Sequence, residues 1–165
     1  MTRANGFRSS IVTLGLLVLL ATSSVAAGER TREDLGVIPT PQQVTWDDGT
    51  LRVDDSTTIL LPDGAPEGAK FAATNLQERL AQQTGLKLQI SRDPATTKAA
   101  NSIAIGNPKT DSRVAEAMKA YGLELSDEMK AEGYVLAIGK HGIVIGAESD
   151  RGLLYGTATL RQMLL

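Results

Sequence analysis

Glu132-Gly133-Tyr134-Val135-Leu136-Ala137-Ile138-Gly139-Lys140-His141-Gly142-Ile143-Val144-Ile145 reads as a strand, a reversal and a second strand. Tyr134, Leu136 and Ile138 alternate with Val135 and Ala137, as a strand with two distinct faces requires. Gly139 to Gly142 holds the residues of a tight turn, and Ile143-Val144-Ile145 returns as a buried strand. Ser149 or Asp150 then offers a cap for a helix that carries Arg151-Gly152-Leu153-Leu154-Tyr155-Gly156 and ends in Leu160-Arg161-Gln162-Met163-Leu164.

Upstream of this unit the elements are shorter. Val44-Thr45-Trp46, Leu51-Arg52-Val53 and Thr57 to Leu61 are rich in β-branched residues and read as strands, with Asp47-Asp48-Gly49 as a turn. Ala69, Ala72, Ala73, Leu76 and Leu80 share one face of a helix, and Gly85 stands where a left-handed cap belongs. Leu86, Leu88 and Ile90 alternate as a half-buried strand, and Ser102 to Ile105 is a continuous apolar one. Asp111 can cap a second helix bearing Val114, Ala117, Met118 and Tyr121, and a short helical turn can follow Ser126. Hairpins mixed with βα units predict an α+β, two-layer sandwich. Its sheet is expected to be mixed and mostly antiparallel, with the helices packed on one face.

Residues 1–27 have the pattern of a signal peptide: Arg3 and Arg8, an apolar run from Ile11 to Leu20, then Ser23 to Ala27 as small residues for cleavage. The run is too short for a stable membrane span. Cleavage near Ala27 would deliver the chain to the periplasm or the exterior. Residues 28–36 then form a polar leader and 37–165 the domain. Loss of Arg3 and Arg8 takes the 17 Lys and Arg to 15 against 19 Asp and Glu. That mildly acidic balance argues against nucleic acid and anionic membrane as partners. There is no cysteine, so stability must come from packing.

Chemistry-bearing constellations are sparse. The sole histidine, His141, sits in the Lys140-His141-Gly142 turn without a ligand-spaced partner, so neither a metal site nor a histidine-based nucleophile is expected. Gly133 to Gly139-Lys140 has the wrong spacing for a phosphate loop. No cofactor is implied. Asp127-Glu128 reads as first-turn acids favoured by a helix dipole. Phe71, Tyr121 and Tyr134 sit among apolar residues at core-like spacing, which leaves Trp46 as the one candidate sugar platform.

Four short stretches together resemble one family. Val37-Ile38-Pro39-Thr40-Pro41-Gln42-Gln43-Val44, Glu132-Gly133-Tyr134-Val135-Leu136, Gly152-Leu153-Leu154-Tyr155-Gly156 and Thr159-Leu160-Arg161-Gln162 are similar to the "IPxPQ-x-V", "EGY-x-L", "G-L-x-Y-G" and "T-L-R-Q" patterns of the N-terminal domain in family 20 glycoside hydrolases of the bacterial β-N-acetylhexosaminidase type. Family 84 hexosaminidases carry a related leading domain. The resemblance implies a non-catalytic accessory domain that braces a catalytic barrel. In the family that barrel begins directly after the last helix. Its activity is release of terminal N-acetylhexosamine from glycans, with an Asp-Glu pair in an "H-x-G-G-D-E" context. Asp127-Glu128 lacks that context, and a barrel of about 250 residues cannot fit here; the chain alone is expected to be inactive. Barrel-docking candidates are Gly152, Leu154, Tyr155, Gly156 and Met163, although the glycine pair could equally pack on the domain's own sheet. The rival reading is an autonomous carbohydrate-binding or adhesion module, which needs exposed aromatic residues such as Trp46.

Overall fold

The computed structural model describes residues 31–46, 50–93 and 99–165. The expected signal peptide, the first residues of the leader and the Asp47-Asp48-Gly49 turn lie outside them. Five strands form one sheet: β1 Thr58–Leu60, β2 Gln89–Ser91, β3 Ser102–Gly106, β4 Val135–Gly139 and β5 Gly142–Gly146, in the order β2-β1-β3-β5-β4. Three helices accompany them: α1 Glu67–Thr84, α2 Ser112–Ala120 and α3 Asp150–Met163.

The mixed α+β sheet with helices packed against it is as expected, but two details depart from expectation. The pairings β1–β2, β1–β3 and β3–β5 are parallel, and only the β4–β5 hairpin is antiparallel. The sheet is therefore mostly parallel rather than mostly antiparallel. Helices also cover both faces rather than one. Ile59, Ile103, Ile105, Ile143 and Ile145 face α1 and α3, while Ala104 and Val144 face Val114 and Met118 of α2. Strands buried on both sides by crossover helices need unbroken apolar runs, which Ser102–Gly106 and Gly142–Gly146 provide. Gly106 and Gly146 let α2 approach: a methyl group on Gly106 would stand 3.3 Å from Val114 Cγ2, and one on Gly146 would meet the Met118 sulfur.

Residues 44–46 and 51–53 are not strands; Leu51 and Val53 instead pack against the core without a ladder. The alternation read in the hairpin is realised. Tyr134, Leu136 and Ile138 pack on the α1/α3 side, and Val135 and Ala137 on the α2 side. Helix ends follow their local chemistry. Gly85 has φ +80° and donates its N–H to Ala81 O, while the buried Asp111 carboxylate accepts from Arg113 N at 3.0 Å. Ser126 precedes a short 3-10 turn, Asp127–Met129. Phe71, expected in the core, is 59% exposed, because on α1 it lies opposite the Ala69, Ala72, Ala73, Leu76 and Leu80 face.

Candidate docking face

The residues of the Glu132-Gly133-Tyr134 stretch meet α3 one after another. Ser149 accepts from Gly152 N at 3.0 Å to cap the helix, and its hydroxyl donates to Ala131 O at 2.7 Å. Glu132 forms an ion pair with Arg151, whose pKa it raises through that hydrogen bond and its charge. Gly152 lies against the Gly133 carbonyl and Ala147. Gly156 admits Ile145 and the Tyr134 ring, and the Tyr134 hydroxyl reaches Thr159 Oγ1 at 2.6 Å. Both glycines are thus occupied within the domain. Their small size serves the contact of α3 with its own sheet and the loop before β4, which removes them from a surface offered to a partner.

The opposite side of α3 is open and mixed in character, with exposed Arg151 sharing it with apolar residues. Leu154, Tyr155, Ala158 and Gln162 follow one another at helical spacing away from the buried residues, and Leu165 lies just past the helix end. Leu154 is half-buried, Tyr155 is 43% exposed and Leu165 66%. Met163, also partly exposed, belongs elsewhere: seven residues after Gly156, it points along the sheet-facing side, past the end of the packed region. The leading segment adds to the open side. The Gln162 carboxamide accepts from Ile38 N and donates to Ile38 O, both at 3.0 Å, and the Ile38 side chain is 80% exposed. Arg32 fastens the same segment by donating to Gln42 O at 2.6 Å. Sequence reasoning missed Ile38 and Gln162 as members of this face; both lie inside the motifs, but nothing in the motifs says that those motifs touch.

Trp46, the candidate sugar platform, is 38% exposed beside the undescribed residues 47–49. Asp127 and Glu128 are exposed side by side on their 3-10 turn, Asp127 paired with Lys130 at 2.7 Å. The backbone N–H of His141 donates to Tyr121 Oη at 3.1 Å, and its ring lies edge-on to Tyr121. A mainly apolar crevice lies beyond the carboxyl ends of β1, β3 and β5, between Pro62, Pro66, Asn107, Glu148 and Leu153. At its rim Asn107 donates to Glu148 O at 3.1 Å, and Lys109 pairs with the Glu148 carboxylate at 2.8 Å. Among the described residues no buried side-chain nitrogen or oxygen lacks a partner, no cluster of potential metal ligands forms, and no helix is long and apolar enough to cross a membrane.

Known proteins agree with this architecture. The family model for glycosyl hydrolase family 20, domain 2, matches residues 34–165. Over 152 residues the chain is 32% identical to a beta-hexosaminidase of Porphyromonas gingivalis (strain ATCC BAA-308 / W83), covering 90% of this chain and 17% of that protein. It therefore spans a small part of the curated relative's length. Among solved structures, CpGH84D superposes with a TM-score of 0.58 at 17% identity, over 77% of this chain and 20% of that one. The Flavobacterium johnsoniae chitobiase superposes with a TM-score of 0.50 at 21% identity, over 81% of this chain and 19% of that one. At such identities the structural likeness speaks for the fold alone. The family match does more: spanning most of the chain and holding all four motif stretches, it shows that the chain belongs to glycosyl hydrolase family 20 as its domain 2.

Proposed function

We propose that this domain is a non-catalytic brace for the catalytic barrel of a β-N-acetylhexosaminidase-like enzyme. In that enzyme the barrel releases terminal N-acetylhexosamine from glycans. One observation carries the reading: the outer side of α3 exposes Tyr155, Leu165 is exposed just past the helix end, and the exposed Ile38 is fastened to Gln162 on the last turn. Apolar side chains grouped in this way are unfavourable in water and mark a contact surface. Each large side chain left uncovered forgoes about 1.5–3 kcal/mol of burial. The leader-like N-terminus adds an extracytoplasmic setting, where glycans of this kind are met.

The test is hydrogen exchange on the chain alone and with a family 20 catalytic barrel supplied in trans. Amides of residues 154–165 should become more protected with the barrel present. Equal exchange in both samples would remove the bracing role. Protection confined to the neighbourhood of Trp46 on adding chitin oligosaccharides would favour the carbohydrate-binding alternative.

A further inference from the structure

We propose that Gln162 is the positioning residue of the docking face: its carboxamide locks the leading segment at Ile38 onto the last turn of α3, so that Ile38, Tyr155 and Leu165 meet the barrel as one surface. The inference rests on the bracing role proposed above. The pairing joins residues 124 apart in the chain, and both of its bonds, at 3.0 Å, go to the peptide groups of one residue. A carboxamide suits this task because it offers an acceptor and a donor side by side, matching the N–H and C=O of a single residue in the manner of a β-bridge. Both groups are exposed, so core packing does not explain the arrangement. On α3, Gln162 lies seven residues after Tyr155, on the side facing away from the sheet, and Leu165 follows just past the helix end. Anchoring Ile38 at that point holds its exposed side chain at the last turn of α3, the helix from which Tyr155 is also exposed. The occupant is a further domain of the same polypeptide. The matched region is only 17% of the beta-hexosaminidase relative, and the surface lies at the end of the helix after which the family resemblance places the barrel.

The experiment measures binding of a family 20 catalytic barrel in trans to the full chain and to Gln162→Leu, Gln162→Glu and Tyr155→Ala. Amide spectra report Ile38 directly. Gln162→Leu removes both bonds at similar volume and should weaken binding about tenfold. Gln162→Glu is the chemical control. Its carboxylate can accept from Ile38 N but repels Ile38 O, whereas the protonated acid again carries one donor and one acceptor. Binding by this variant, relative to the wild-type chain at the same pH, should be weak at pH 7 and recover near pH 4, with the Ile38 amide signal returning in step. A role in folding alone would not produce that reversal. Wild-type-like binding by Gln162→Leu, with Tyr155→Ala weakened, overturns the inference and leaves the bracing role standing. No binding by the wild-type chain removes the bracing role, and the inference with it.

Discussion

A methyl group built on Gly156 would sit 2.5 Å from Ile145 Cγ2 and 3.1 Å from the Tyr134 ring, both held by a packed core. Neither neighbour is the free end of a flexible chain, so α3 would have to move off the sheet. Gly156→Ala should cost about 1–3 kcal/mol, read as a lower denaturant midpoint. Charge at single residues has a smaller and more local effect. Hydrogen bonds from Ser56, with Arg52 nearby, lower the pKa of Asp54. A carboxylate lowered in this way supports the folded state above the ordinary carboxylate range and ceases to as pH falls through its folded pKa. Ser56→Ala should therefore move the Asp54 midpoint upward in an NMR titration; a midpoint that stays low would assign the effect to the surviving Ser56 backbone N–H and to Arg52. Such residue-scale contacts were only partly legible in the sequence. The glycine spacing of α3 announced a close approach, but not against which surface, because either side of a helix can be the crowded one.

Among the elements, those with their own chemistry were the readable ones. α1 and α2 could be placed from an apolar stripe plus a terminal residue, Gly85 or Asp111. Asp111→Ala should cost about 1 kcal/mol in equilibrium unfolding through the lost cap, and Asp111→Asn should recover most of it. Residues 44–46 and 51–53 were misread for a physical reason. β-Branched composition shows that a segment suits a half-buried surface, not that another strand will lie beside it. The direction of the sheet was hidden similarly. The runs at 102–105 and 143–145 declare burial on two faces, yet their parallel pairing depends on where α1 and α2 carry the chain. Leu154 and Tyr155 were visible through helical period, which also drew in Met163 from another side of the last turn. Ile38 and Gln162 meet across 124 residues through a backbone and an amide, a contact that leaves no periodic trace.

For the molecule as a whole, the expectation is silence in a glycosidase assay. The described residues provide one compact mixed sheet with three helices and an exposed Asp127-Glu128 pair. Purified chain should not hydrolyse a chromogenic N-acetylglucosaminide. Turnover that survives purification and disappears in Glu128→Gln would overturn the non-catalytic reading. The strand order has a consequence for how this domain comes into being. β5 stands between β3 and β4, and α3 lies over it, although both come from the final quarter of the chain. During synthesis, which proceeds at roughly 5–20 residues per second, β3 emerges with β1 on one flank and an apolar, unmatched edge on the other. That edge cannot close until residues 142–146 have left the ribosome. The apolar edge of β3 therefore stays open to self-association while residues 107–141 are being made.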